Sequence, residues 1–167
     1  MVAELALVVA CSLRLEANEK LGYEPLIEHE LSKPFHAGEE RFIITARHPQ
    51  FGMELAFLDI THVGPQAVIE KSEVMNENNY RKGLTTLLLA EMRETHPKLT
   101  TIEANLADVN YRTANRAFEQ EGLDCEEAVA LTPLFKAALK VGFQLKTAEC
   151  NPASHEYKFV MTLEPPH

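Results

Sequence analysis

The sequence has few of the features that mark secreted, membrane-spanning or disulfide-bonded proteins. Its three cysteines are scattered along the chain, and no two of them form a CxxC pair. An odd, scattered set is more typical of a reducing cytoplasm than of a disulfide framework. No apolar run approaches the roughly 20 residues of a membrane-spanning helix, and the apolar stretch 5–13 lacks the basic leader of a signal peptide. We therefore expect a cytoplasmic protein without membrane association.

Basic residues and clustered metal ligands are also scarce. The chain has 16 lysines and arginines against 25 aspartates and glutamates, a net charge of −9. This balance argues against general nucleic-acid binding, which needs a basic footprint, and it is compatible with a cationic small molecule or peptide as partner. The seven histidines form no HxH or HxxxH pair, whereas a zinc site needs clustered ligands. We expect neither nucleic acid nor metal as a ligand.

The composition is that of a globular protein, with 46% hydrophobic and 25% charged residues over 167 residues. This size fits one domain, residues 1–167. Runs rich in β-branched and apolar residues predict strands at 5–15, 41–47, 53–60, 67–75, 99–106 and 157–163. Turns rich in proline and glycine join the second, third and fourth of these as an antiparallel meander. Residues 16–40 are too often interrupted for a long helix, and the pattern leaves a short helix or a strand open at 26–31.

Three helices are predicted after the meander. A stripe of leucines indicates a helix at 84–95, Asp108 is a suitable N-cap for a helix at 109–121, and Thr132-Pro133 begins a helix that ends before Gly142. The strand–helix–strand unit around the first helix predicts a parallel βαβ connection. The expected fold is therefore α/β (α+β), with a mixed, mostly antiparallel sheet of six to seven strands flanked by helices.

Residues 78–90 join a predicted strand to a predicted helix through a polar loop with Arg81, Lys82 and Gly83. The unpaired amide groups of a helix N-terminus, and the positive end of its dipole, attract anions and phosphate above all. Gly83 also lets the backbone come close to a ligand. The loop thus predicts a phosphate site, although many turns of this composition bind nothing.

The order of elements, together with this loop, resembles the GNAT superfamily of acyl-CoA-dependent N-acyltransferases, and the likeness covers residues 67–163. The family's loop reads Q/R-x-x-G-x-G/A between its fourth strand and the following helix. Residues 80–85 of this chain occupy that pattern, with Gly83 at its first glycine. Tyr80 stands where Gln or Arg is usual, and Thr85 stands where Gly or Ala is usual.

The resemblance implies acetyl-CoA, or another acyl-CoA, as cosubstrate and no metal. The loop would wrap the pyrophosphate with its N–H groups, and pantetheine would lie along residues 73–75, where a bulge splays the fourth strand from the fifth. An asparagine soon after the fifth strand corresponds to Asn110. The implied cofactor-binding residues are Val74, Met75, Tyr80, Arg81, Lys82, Gly83, Leu84, Thr85, Thr86 and Asn110.

The implied reaction is direct attack of an amine, on a small molecule or a peptide, at the thioester carbonyl. Glu70 and Glu73 are the candidate bases, and the alternative for each is a solvated glutamate on a sheet face. The family's Tyr-x-x-x-Gly-Phe motif matches two stretches here, with Phe118 or Ala138 in place of the tyrosine. The stretch that contains Ala138 leads directly into the last strand, so it fits the family motif better than the stretch that contains Phe118. Neither side chain can donate a proton.

Three functions stay open on the sequence alone. The first is an acyl-CoA N-acyltransferase, in which Tyr111 or Tyr157 either replaces the missing acid or is an ordinary core or surface residue. The second is a degenerate GNAT-fold module that acts by ligand or protein binding, which Thr85 and the absent tyrosine favour. The third is an interaction domain with a superficial resemblance. The oligomeric state is open, with a homodimer among the alternatives.

Overall fold

The computed structural model describes residues 2–163, with side chains from residue 9 onward. Its helices are α1 (Val2–Leu21), α2 (Leu84–Thr95), α3 (Asp108–Asn115), α4 (Cys125–Ala130) and α5 (Pro133–Lys140). Its strands are β1 (Leu26–Ser32), β2 (Glu40–Arg47), β3 (Glu54–Val63), β4 (Gln66–Val74), β5 (Thr101–Asn105), β6 (Phe143–Asn151) and β7 (Glu156–Leu163). Within these residues, every helix is too short or too polar to cross a bilayer.

The strands form one sheet in the order β1-β2-β3-β4-β5-β7-β6. Only the β4–β5 pair is parallel, and every other neighbouring pair is antiparallel. The chain passes from β4 to β5 through α2, which confirms the predicted meander and the parallel βαβ unit. The predicted fold class is also confirmed, since the sheet is mostly antiparallel and is flanked by helices.

The two faces of the sheet differ in chemistry because successive side chains along a strand point in opposite directions. One row of directly paired residues crosses five strands and is almost fully buried: Phe42, Ile60, Ile69, Ala104 and Phe159. The neighbouring row, on the other face, is mixed and includes charged residues: Arg41, Thr61, Val68, Glu103 and Val160. The core therefore lies on one side of the sheet.

The helices pack on the buried face. The Phe135 ring of α5 lies 5.3 Å from the Phe159 ring of β7, and the Tyr111 ring of α3 lies 5.4 Å from the Tyr157 ring of β7. Helix α2 contacts the sheet, α1 and α5. Because α2 has neighbours on three sides, its buried residues lie around most of its circumference and do not form a single stripe.

The predicted strand at 5–15 is wrong, because these residues belong to α1. The prediction depended on two adjacent β-branched residues, Val8 and Val9, in a segment otherwise rich in Ala, Leu and Glu, which are good helix formers. The buried residues Ala10, Ala17 and Leu21 recur at helical spacing along the face that meets the core. The open alternative at 26–31 is resolved as strand β1, which forms a hairpin with β2.

Helix α3 does not begin as predicted. Ala107, rather than Asp108, occupies the N-cap position, and Asp108 has a positive φ of 50° inside the first turn. Thr132 is the N-cap of α5 as expected, since its side chain accepts from the Phe135 N–H, and Pro133 is the first helical residue. Strand β6 and helix α4 were absent from the sequence prediction.

The inference against disulfides is also wrong. Cys125, the first residue of α4, and Cys150, in β6, form a disulfide with their Cα atoms 5.7 Å apart. Cys11 is exposed and free, whereas a buried position in a strand was expected. The disulfide joins α4 to β6, and neither element was predicted from the sequence. The sequence therefore gave no sign that the two cysteines lie close together.

Candidate functional site

The loop between β4 and α2 is tightly turned. Asn76, Arg81 and Gly83 all have positive φ, at 68°, 62° and 81°. The Asn76 side chain accepts from the Asn78 N–H, which holds the first bend. A positive φ at a residue other than glycine costs on the order of 1–3 kcal/mol, and such residues concentrate at functional sites. The predicted phosphate loop therefore has two residues other than glycine, Asn76 and Arg81, in the unfavourable left-handed region.

The first turn of α2 has free amide groups. Gly83 is its N-cap and offers no side-chain hydrogen bond, and the first helical bond runs from the Leu87 N–H to the Gly83 carbonyl. The N–H groups of Leu84, Thr85 and Thr86 therefore lack a partner within the described residues. Together with the positive end of the helix dipole, they form the anion-attracting arrangement that the sequence predicted.

The charged residues of the loop lie on its outer side. Tyr80 and Arg81 are exposed, and Lys82 is half-buried. Leu84 and Thr86 are buried, and Thr85 is half-buried. An anion at the free amides would therefore be approached from solvent on the side of Tyr80 and Arg81.

Helix α1 covers the opposite side of this loop. The Ala17 Cβ atom is 3.6 Å from the position that a Cβ on Gly83 would take. The hollow between α1, α5 and the start of α2 has a volume of about 10 Å³ and is lined by Glu16 and Lys140 among others. The pKa of Glu16 is lowered, first by its hydrogen bond to Lys20 and then by the charges of Lys20 and Lys140. This hollow holds about one water molecule, so a diphosphate cannot bind on the α1 side.

Strand β4 extends towards the loop beyond the end of its pairing with β5. The two strands pair only from Gln66 with Thr101 to Ile69 with Ala104. Strand β4 continues to Val74 and keeps its pairing with β3, whereas β5 ends one residue later, at Asn105. The sheet therefore opens at the end where α2 begins.

The two candidate bases lie on the open face of β4. A register shift opposite Asp59 and Ile60 makes Glu70 the extra residue of a bulge, and the Thr61 hydroxyl donates to its carboxylate at 2.7 Å. Glu73, three residues after Glu70, forms an ion pair with Lys71 at 3.1 Å. The resemblance implied a bulge at 73–75, and the structure has it at Glu70.

Three of the predicted cofactor contacts already have partners. The Met75 carbonyl accepts from the Asn79 side chain at 2.9 Å, and the Met75 N–H donates to Leu55. The Val74 backbone pairs with Ala56 of β3. The Asn110 side-chain oxygen accepts from the Leu134 N–H, so Asn110 caps the start of α5.

An aromatic cluster beyond the carboxyl end of β5 was not anticipated as a unit. The Tyr157 hydroxyl donates to the Asn115 side chain at 2.9 Å, and burial raises the pKa of Tyr157. The Tyr111 hydroxyl lies 2.9 Å from His155 Nδ1, and the Phe118 ring lies 6.1 Å from the Tyr157 ring. Ala138, the second candidate position for the missing tyrosine, is buried in α5, outside this cluster.

His155 and Asn115 carry no sequence signal for this grouping. His155 is isolated in the loop before β7, and it meets Tyr111 only because α3 packs on β7. Burial raises the pKa of Tyr157, so its phenol keeps its proton at neutral pH.

Two comparisons of the sequence with known proteins found no match. A scan of the sequence against protein-family models returned no match, and a search of curated proteins returned none either. Within residues 2–163 no group of three or more His, Cys, Asp or Glu side chains is arranged to hold a metal ion.

Proposed function

We propose that this chain is an acyl-CoA-dependent N-acyltransferase that transfers an acetyl or other acyl group to an amine of a small molecule or peptide. The observation that carries the proposal is the separation of β4 from β5 beside a helix N-terminus with three free amides. A parted pair of parallel strands makes room for a linear thiol ester, and free amides suit its diphosphate.

The proposed reaction needs no covalent enzyme intermediate. The amine nitrogen attacks the thioester carbonyl carbon and the C–S bond breaks. A base takes the proton that the amine loses, and the departing CoA thiolate accepts a proton from an acid or from water. Glu70 and Glu73 are the proposed bases, because they lie on β4 where it leaves β5. Tyr157 and Tyr111 are the proposed acids.

Calorimetry with acetyl-CoA tests the binding step. Arg81→Glu and Lys82→Glu place like charge beside the diphosphate and should each weaken binding about tenfold, which is 1.4 kcal/mol. Lys98→Glu is the matched control, because Lys98 is exposed beyond the other end of α2. A lack of measurable heat at millimolar acetyl-CoA would refute the proposal.

A thiol-release assay against a panel of amines tests catalysis. Glu70→Gln and Glu73→Gln should lower kcat while acetyl-CoA affinity is unchanged, because a base acts on the amine and not on the cofactor. If both variants keep full activity, neither carboxylate is the base. Tyr157→Phe tests the acid in the same assay.

A second candidate is a GNAT-fold module that works by ligand or protein contact without acyl transfer. Its supporting observation is the packing of Ala17 against Gly83, which leaves only about 10 Å³ on that side of the loop. Phe118 and Ala138 at the two positions for the acid also favour it. Protein that fails to bind CoA in the calorimetric test would support this second candidate.

The proposed location is the cytoplasm. The Cys125–Cys150 disulfide is the observation against this location, because glutathione and thioredoxin keep most cysteines reduced in the cytoplasm. Rapid alkylation of cells, followed by mass spectrometry of the peptides, measures whether Cys125 and Cys150 are thiols or a disulfide in the cell. Alkylated Cys125 and Cys150 support a cytoplasmic location, and an intact disulfide argues for an oxidising compartment.

A further inference from the structure

The short helix α4 and the residue on either side of it form a distinct surface segment, residues 124–131. Before this segment, residues 116–120 form a π-helical turn that continues α3, and Gly122 follows with a positive φ of 71°. After it comes Thr132, the N-cap of α5. Turns of the π type are rare and occur frequently at functional sites, and a glycine can absorb a large change of backbone angle. The backbone can therefore bend on the N-terminal side of α4.

Few non-covalent contacts hold the segment on the protein. Within the part of the chain that the structure describes, its hydrogen bonds stay inside the segment, except for those with the adjoining Thr132 and one contact with Cys150. Its fully buried apolar side chains are only Ala128 and Val129, and Leu131 is exposed. A helix of six residues is too short to be stable in water without tertiary contacts. The docking of α4 therefore depends on a small apolar contact and on its covalent bond.

That covalent bond lies at the surface. The disulfide joins Cys125, the first residue of α4, to Cys150 near the end of β6. Both residues are only half-buried, and β6 is an edge strand with no neighbouring strand on its outer side. Disulfides that are exposed to dissolved thiols are the ones that exchange readily. A small thiol can therefore reach this bond in the folded protein.

Helix α4 covers part of the aromatic cluster described above. It contacts α3, the π-helical turn and β7. These three elements carry the side chains of the cluster, namely Tyr111, Asn115, Phe118 and Tyr157. Movement of α4 away from them would let water reach this side of the sheet. The state of one covalent bond is thus linked to the packing around Tyr157.

We propose that the Cys125–Cys150 bond is a redox switch, opened and closed by a low-molecular-weight thiol–disulfide couple such as reduced and oxidised glutathione. In the oxidised state the bond keeps α4 docked on α3 and β7. In the reduced state α4 undocks, and the rest of the sheet keeps its structure. This proposal does not depend on the acyltransferase function, because neither state requires acyl-CoA.

The exchange takes place in two steps. A glutathione thiolate attacks one sulfur of the Cys125–Cys150 bond, and the other sulfur leaves as a thiolate that takes a proton from water. A second glutathione thiolate then attacks the mixed disulfide, which releases the second cysteine as a thiol after protonation. Two glutathione thiols are thereby oxidised to one glutathione disulfide, and the two cysteines are reduced. The reverse sequence closes the bond again.

Hydrogen–deuterium exchange with mass spectrometry tests the undocking in the full chain. After complete reduction with a phosphine, we expect the amides of residues 125–131 to exchange at least about tenfold faster, because α4 opens locally. The amides of β2 and β3 should stay protected. Equal protection of α4 before and after reduction would overturn the proposal. Loss of protection in β2 and β3 as well would also overturn it, because reduction would then unfold the whole chain.

Variants and a redox titration complete the test. The double variant Cys125→Ser/Cys150→Ser should show the rapid exchange of α4 without reductant, and Cys11→Ser, which alters a free cysteine, is the matched control. Alkylation and mass spectrometry after equilibration in glutathione mixtures measure the fraction of disulfide. We expect this fraction to follow the glutathione ratio reversibly. A bond that survives a large excess of reduced glutathione, or cysteines that do not pair again in oxidised glutathione, would refute the switch.

Discussion

Reduction of the Cys125–Cys150 disulfide should destabilise the folded chain. The two residues are 25 positions apart, and closing a loop of this length in the unfolded chain lowers its entropy by an amount worth about 3.5 kcal/mol at 25 °C. The bond fastens α4 to β6, an edge strand whose outer side has no neighbouring strand. We therefore expect the free energy of unfolding to fall by about 2–4 kcal/mol on reduction.

The assay is thermal unfolding followed by circular dichroism, with and without a phosphine reductant. For a domain of this size each kcal/mol shifts the Tm by about 2–4 °C, so a loss of about 2–4 kcal/mol should lower it by about 4–16 °C. The double variant Cys125→Ser/Cys150→Ser should start at the lower Tm and show no response to reductant.

Cys11→Ser is the matched control, because Cys11 is exposed and unpaired. It should behave as the unaltered protein does, both before and after reduction. A Tm that changes by less than about 1 °C on complete reduction would contradict the loop-entropy argument. Equal sensitivity of the double variant to reductant would show that the effect lies elsewhere.

Three further changes address the helix ends and one titrating group. Thr132→Ala removes the N-cap bond of α5 and should cost about 1 kcal/mol in urea unfolding. Gly142→Ala places a Cβ atom at a residue with φ 101°, 2.9 Å from Arg93 Nη1, and should lower the free energy of unfolding by about 1–2 kcal/mol. Gly122→Ala is its control: Gly122 also has a positive φ, but nothing lies within 4 Å of the added Cβ, so this variant measures the backbone strain without the clash. Burial, and then the nearby His62 and His29, lower the pKa of His96, so stability should fall as pH drops through and below 6.5, less so in His96→Gln. Unchanged pH profiles in that variant would contradict the assignment.

The sequence could predict the elements whose neighbours in space are also neighbours along the chain. Strands β2, β3 and β4 form hairpins, and α2 carries a regular stripe of leucines, so local alternation and turn chemistry were sufficient. The same holds for the free amides at Gly83, because any helix N-terminus exposes them.

Tertiary packing decided the rest. Strand β6 is an edge strand that pairs only with β7, and most of its side chains are exposed, so it lacks the buried run that identifies a strand. The segment 2–21 has the composition of a helix, but the contact that holds α1 against α2 joins residues about 70 positions apart, and no local pattern encodes it.

The same distinction applies to the candidate site. The loop chemistry at Arg81, Lys82 and Gly83 was readable from residue types alone, because it depends on backbone geometry and charge. The placement of Ala17 against Gly83, the pairing of Tyr111 with His155 and the disulfide all join residues far apart in the chain. Such contacts form only when the helices dock on the sheet, so only the folded structure could reveal them.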